Sequence, residues 1–226
     1  MSNKNNSEQL SRLIKIMATL RGPSGCPWDR KQTPESLKPY ILEEAYEVLE
    51  AIDNANSHEI CDELGDLLLQ VVFLAQIFSE QGQFNFSDVA DSIATKLIRR
   101  HPHVFSDADA KDHAQQWENI KQQERSEHGK GNKLIDRIPR NLPALKKAAK
   151  VAKKMDTQSP ETLAKKLHDR TKNIAEKRVK QKQQQLESEL GEILFNVVQL
   201  TQQLNFDAED LLRKKTLQMV EEIDAQ

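Results

Sequence analysis

The 226-residue chain balances 33 Lys and Arg against 35 Asp and Glu, for a formal net charge of −2. That balance gives bulk charge no hold on a nucleic-acid polymer, and 5% aromatics with 7 Gly and 8 Pro leave little material for a barrel or sandwich. Two cysteines, Cys26 and Cys61, argue against a disulfide framework or a cysteine-rich zinc site and are expected to be free thiols.

In chain order, nearly every long segment has helical period. Ser7 is placed to cap a helix through LSRLIKIMATL to about residue 20. RGPSGCPWDRKQTP (21–34) reads as a Gly/Pro loop holding Trp28. KPYILEEAYEVLEAI forms a second helix with Pro39 in its first turn. NANS (54–57) turns, Ser57 caps, and a third helix runs from about His58 to Glu80, with Cys61 expected on its core side. Ser87 caps DVADSIATKLIRR, and HPHVFSD (101–107) interrupts the pattern. AKDHAQQWENIKQQERSE (110–127) is a polar helix, and HGKGNKLIDRIPRN (128–141) reads as a boundary. Helical segments then continue through PALKKAAKVAKKM, residues 162–204 and AEDLLRKKTLQMVEEI. The longest apolar run, LLLQVVFLAQIF (67–78), is too short and interrupted to span a bilayer, and MSNKNNSEQL has no apolar signal core. A reducing cytoplasm is the expected compartment.

An internal repeat organises these segments. ELGDLLLQVV (63–72) matches ELGEILFNVV (189–198) at an offset of 126, and NFSD (85–88) matches NFDA (205–208) after a six-residue deletion. The expectation is an all-α fold of two related helix-bundle modules, 1–130 and 131–226. Residues 60–78 carry apolar side chains on more than one face, so the third helix expects neighbours on most sides, from a second subunit or from the second module.

Five acids interrupt the apolar segments. Glu44 and Glu47 are three apart, Glu43 and Glu47 four apart, and Glu63 and Asp66 repeat the three-residue spacing on the next helix. Each spacing puts its pair on one helix face, and an antiparallel hairpin can bring the two sets together. Converging carboxylates are costly unless neutralised, and a cluster of hard oxygens suits Mg²⁺. The same pattern on its own also describes a solvated helix face. Gly65, just before Asp66, would let another backbone or a ligand approach. Lys96 and Arg100 share a helix face and could cradle phosphates, as Trp117 and Lys121 share one. On the residues alone, simple packing for Trp117 and a solvated charge for Lys121 are the preferred readings. His101 and His103 flank Pro102 in a corner that reads as a helix end rather than a zinc site.

EEAYE, 15 residues and then ELGD resembles the signature of MazG-type nucleoside triphosphate pyrophosphohydrolases, all-α enzymes with two-module members. GCPWDRKQT (25–33), KLIRRHPHVF (96–105), WENIKQQE (117–124) and IPRNLPAL (138–145) resemble that family too. The resemblance implies Mg²⁺, with Mn²⁺ able to substitute, held by Glu44, Glu47, Glu63 and Asp66, with Glu43 beside them as base or water-orienting group. It implies nucleotide contacts from Lys96, Arg100, Trp117 and Lys121, with Trp28 as a further wall of a base pocket. It further implies hydrolysis of NTP or dNTP to the monophosphate and pyrophosphate, a housecleaning role, a homodimer, and neither membrane nor nucleic-acid polymer as partner.

The C-terminal copy departs from the pattern. ELGE (189–192) keeps an acidic pair, with Glu192 in place of Asp. KKLHDRTKNIAEK (165–177) stands where EExxE should, with Asp169 and Glu176 seven apart and Lys172 or Asn173 in place of the third acid. The second module is therefore expected to lack activity and to serve packing. The degraded half keeps alive a rival reading, a catalytically weak nucleotide-binding or interaction protein of the same fold. A purely structural helical oligomer is a third.

Overall fold

A computed structural model describes residues 4–105, 120, 123–124, 133–177 and 183–225. Every described element is helical, and the packing divides the chain into two compact units, Met1–Ala114 and Gln115–Gln226. The all-α expectation holds, built from two similar bundles.

The first unit contains α1 (Lys4–Arg21), α2 (Pro27–Lys31), α3 (Pro34–Asp53), α4 (Ser57–Glu80), α5 (Phe86–Arg100) and α6 (Pro102–Phe105). Thr33 starts α3 with a reciprocal cap: its hydroxyl accepts from the Ser36 amide at 3.2 Å, and the Ser36 hydroxyl accepts from the Thr33 amide at 2.9 Å. Pro34 fills the first helical position, where no amide proton is needed. Pro39 lies inside α3 rather than in its first turn, because the cap sits further upstream than the apolar pattern suggested. Asn56 caps α4, accepting from the His58 and Glu59 amides, and Asn85 caps α5 in a reciprocal pair with Asp88. Asn outcompeted the serines expected at both positions, one or two residues away, because its carbonyl oxygen reaches two amides at once. Helix α1 begins before Ser7, and the Gly/Pro loop holds the single turn of α2.

Helices α3 and α4 form an antiparallel hairpin across a short turn in which Ala55 takes φ 53°, a left-handed conformation. Helices α1 and α5 pack on α4, α2 on α1 and α6 on α5. Met17, Leu37, Val72, Phe73 and Ile77 form the core, with Leu13, Ile14, Leu69, Leu74 and Phe86 packed around it. Arg21 ties three helices together. Its Nε and Nη2 donate to the two Glu80 oxygens at 2.8 and 2.7 Å, its Nη1 donates to the Asp29 and Gln32 carbonyls, and its guanidinium lies 5.4 Å from the centre of the Phe73 ring. Cys61 is exposed, not on the core side.

The second unit holds a 3₁₀ turn at Leu134–Arg137, then α7 (Ala144–Ala152), α8 (Pro160–Lys177), α9 (Gln183–Gln203) and α10 (Ala208–Asp224). Helix α9 packs on α7, α8 and α10, as α4 packs on its neighbours in the first unit. The offset of 126 seen in sequence carries into burial. Pro34 and Pro160 each open a helix, Leu37 and Leu163 are each 1% exposed, and so are Val72 and Val198. The polar pair Gln70 and Asn196 is buried at matching positions. Leu64, Leu68 and Val71 are exposed, as are their counterparts Leu190, Leu194 and Val197. Among the described residues no helix is long and apolar enough to cross a membrane.

Candidate metal centre

The α3–α4 hairpin brings three of the five acids together. One carboxylate oxygen each from Glu44, Glu63 and Asp66 lies within 4.8 Å of the other two. The reason is local: Glu44 sits midway along α3, Glu63 and Asp66 share one face of α4, and the short turn fixes the register between the helices. Among the described residues this is the one group of three or more His, Cys, Asp or Glu side chains spaced to hold a metal ion. Glu44 and Glu63 are half-buried, while Asp66 opens to solvent.

The electrostatics of the group favour a cation. Burial pushes the Glu44 carboxyl up, a hydrogen bond from Gln70 works against that push, and Asp66 and Glu47 add repulsion. The Glu63 carboxyl is also raised, first by desolvation and then by the charges of Glu47, Asp66, Asp62 and Glu59. Acids so arranged resist simultaneous ionisation. A divalent cation would relieve that repulsion, and three hard oxygens on two rigid helices, one of them facing solvent, fit Mg²⁺ or Mn²⁺. Glu47 lies close enough to act on both Glu44 and Glu63 but stands outside the converging triad. Glu43 is exposed on α3 and also lies outside it.

The other candidates fall on separate elements. Trp28, on α2, is 52% exposed and meets Tyr40 edge to face, with ring centres 6.1 Å apart. Tyr40 is one helical turn before Glu44, so this aromatic pair adjoins the acidic face of α3. Lys96 and Arg100 lie one turn apart on α5 and are both half-buried. Trp117 and Lys121 lie outside the described residues. His101 ends α5: its amide donates to the Ile98 carbonyl, and its Nδ1 donates to the Leu97 carbonyl at 2.7 Å. That is the helix-ending role its sequence context suggested. A Cβ on Gly65 would meet nothing within 4 Å among the described residues, so none of them crowds it.

Two residues with a part in this picture escaped sequence reasoning. Gln70, on α4, donates its Nε2 to Glu44 Oε1 at 3.2 Å and is only 6% exposed. A lone amide inside LLLQVVF was the signal. Arg170, on α8, donates to Glu189 at 2.9 Å and to Glu192 at 3.2 Å. Glu189 and Glu192 follow Glu63 and Asp66 by 126 residues, and Arg170 follows Glu44 by the same interval. Extending the offset back from ELGE into the preceding helix would have found it.

Comparison with known proteins agrees with the two-unit, all-α architecture. The profile of the MazG nucleotide pyrophosphohydrolase domain matches residues 32–105 and again 158–221, once in each unit. The chain is 45% identical to the nucleoside triphosphate pyrophosphohydrolase/pyrophosphatase MazG of Thermotoga maritima, over 92% of this chain and 82% of that protein. It is 41% identical to the nucleoside triphosphate pyrophosphohydrolase of Escherichia coli, over 91% of this chain and 82% of that one. A nucleoside triphosphate pyrophosphohydrolase of Mycobacterium tuberculosis matches over a shorter span, 37% identical across 64% of this chain and 44% of its own length. With two matches to the family profile, a two-module all-α architecture and relatives aligned over most of its length, the chain belongs to the MazG nucleotide pyrophosphohydrolase family.

Proposed function

We propose that the protein hydrolyses nucleoside triphosphates, ribo- or deoxyribo-, to the monophosphate and pyrophosphate at the acidic face of α3 and α4. The observation that carries the reading is the convergence of Glu44, Glu63 and Asp66 within 4.8 Å, with the Glu44 and Glu63 carboxyls both raised by burial and by neighbouring acids. The similarity to the nucleoside triphosphate pyrophosphohydrolases of Thermotoga maritima and Escherichia coli supports the same chemistry.

When bound, a divalent cation (Mg²⁺, or Mn²⁺ in its place) neutralises triphosphate charge and acidifies water. Glu44, Glu63 and Asp66 would hold it, with Glu47 completing the acidic face. In the reaction a water oxygen bonds to the α-phosphorus, and the bond from that phosphorus to the bridging oxygen toward the β-phosphate breaks. The bridging oxygen leaves with pyrophosphate. Glu43, exposed beside the cluster, takes the proton of the attacking water and passes it to solvent. Lys96 and Arg100 on α5 offset charge on the phosphates, Arg100 through its planar fork. Trp28 forms a wall for the base, and Trp117 and Lys121 are assigned nucleotide contacts by resemblance.

The second unit serves packing in this reading. Its two matching acids share one cation, Arg170, which pairs with both. The exposed stripe of Leu64, Leu68 and Val71 supports association of two chains into a homodimer. The test is product analysis: nucleotide incubated with the protein and Mg²⁺ should give monophosphate and pyrophosphate. Nucleotide binding without turnover would favour the regulatory rival, and orthophosphate as the only phosphate product would mean a different reaction.

A further inference from the structure

We propose that Gln70 is a positioning residue for the candidate metal centre, holding Glu44 in the orientation that a cation needs. The inference rests on the reading of Glu44, Glu63 and Asp66 as a metal site.

Gln70 lies on the buried face of α4, between the exposed positions Leu68 and Val71 and next to the core residues Val72 and Phe73. It is 6% exposed. Its Nε2 donates to Glu44 Oε1 at 3.2 Å, across the α3–α4 interface, while its own Oε1 is buried and accepts no hydrogen bond from any described residue. A buried, unpaired amide oxygen is a standing cost to the fold, and leucine or methionine would fill the same space without it. What sets Gln70 apart is its one hydrogen bond, which pins one oxygen of Glu44 from across the α3–α4 interface. A ligand carboxylate held by an outer hydrogen bond loses less freedom when a cation binds.

The second unit provides an internal control. Asn196 stands 126 residues after Gln70, is equally buried, and likewise has a buried amide oxygen with no described partner, so the unpaired oxygen is common to both units and only the partner of the amide nitrogen differs. There Glu44 is matched by Arg170, which has no acceptor to offer. Asn196 instead donates to Gln199 Oε1 at 3.0 Å, and Gln199 occupies the position that apolar Phe73 holds in the first unit. The buried amide faces across to the neighbouring helix in the unit where that helix offers a carboxylate. Where it does not, the amide pairs within its own helix.

The test is Mn²⁺ binding by the full chain, followed by electron paramagnetic resonance, in wild type, Gln70→Leu and Gln70→Met, beside thermal melts of the metal-free proteins. Positioning predicts Mn²⁺ affinity lowered about tenfold in both variants, with melting temperatures unchanged or raised because the unpaired amide oxygen is gone. The methionine variant covers the case in which branched leucine disrupts the core. Mn²⁺ affinity within twofold of wild type in a folded variant would overturn the inference alone. Absence of Mn²⁺ binding by the wild type would overturn the metal-centre reading and this inference with it.

Discussion

Arg170 donates to Glu189 at 2.9 Å from the sequence position that Glu44 holds in the first unit. With its second bond to Glu192, it places a guanidinium against the pair of acids that matches Glu63 and Asp66. One substitution in a repeated hairpin thus exchanges a carboxylate for a fixed positive charge. The first unit gathers acids that repel one another, and the second carries its own counter-charge.

That exchange predicts a gain of function. Arg170→Glu would place three carboxylates on α8 and α9 in the spacing of Glu44, Glu63 and Asp66. Titration with Mn²⁺ should then find one more ion per chain than in wild type, and Mg²⁺ should raise the melting temperature of the variant more than that of wild type. Arg170→Ala should cost only about 1 kcal/mol, since its side chain is 30% exposed and solvent screens the pair.

The acids of the first unit predict a pH dependence. The Glu44 and Glu63 carboxyls are raised above the ordinary 4.5, so the folded state holds protons there that the unfolded chain has released. Stability contributed by those protons is present at low pH and lost as pH rises through the folded-state values. Glu80 acts in the opposite sense: the Arg21 hydrogen bond lowers its carboxyl, so its contribution is lost as pH falls through its folded value. Urea midpoints of the metal-free protein across the carboxylate range should show both limbs. Glu44→Gln should flatten the loss at the upper limb, and saturating Mg²⁺ should abolish it in wild type.

Arg21 ties helices of the first unit together outside its apolar core. Its side chain is 7% exposed and carries bonds to α2 and α4, while Glu80 opposite it remains 36% exposed. Arg21→Ala should destabilise the unit by about 2–3 kcal/mol, read from denaturant midpoints. Arg21→Lys should recover only part of that, since an ammonium cannot fork onto both Glu80 oxygens.

The apolar stripe makes an assembly prediction. If Leu64, Leu68 and Val71 pair two chains, light scattering should report twice the 25.9 kDa of one chain. Leu68→Glu should then shift the protein toward single chains without lowering its helix content.

Much of this was legible in sequence because helical period and the repeat are strong signals. The α3–α4 hairpin and the helix-face spacing of the five acids could be read directly, but not that Glu44, Glu63 and Asp66 converge while Glu43 and Glu47 stand outside the triad. Details set by competition between neighbours could not. Asn56 and Asn85 took the caps that Ser57 and Ser87 could have filled, and the Thr33 cap drew the start of α3 upstream of Pro39. Cys61 reads as apolar but faces outward, because its face of α4 packs on none of the described neighbours strongly enough to cover it. Arg170 escaped because a search for missing acids does not look for the cation that replaced them. Gln70 escaped because a single amide in an apolar run has meaning only once its partner across the hairpin is known.

One acidic set, on α3 and α4, is proposed to perform a metal-dependent pyrophosphohydrolysis. The most direct measurement is chromatography of the products from a nucleoside triphosphate with Mg²⁺, for wild type, Asp66→Asn and Glu192→Gln. Wild type should give monophosphate and pyrophosphate in equal amounts, Asp66→Asn should lose roughly a hundredfold or more of the turnover, and Glu192→Gln should keep wild-type turnover. Undiminished turnover in Asp66→Asn, or its loss in a folded Glu192→Gln, would contradict that proposal.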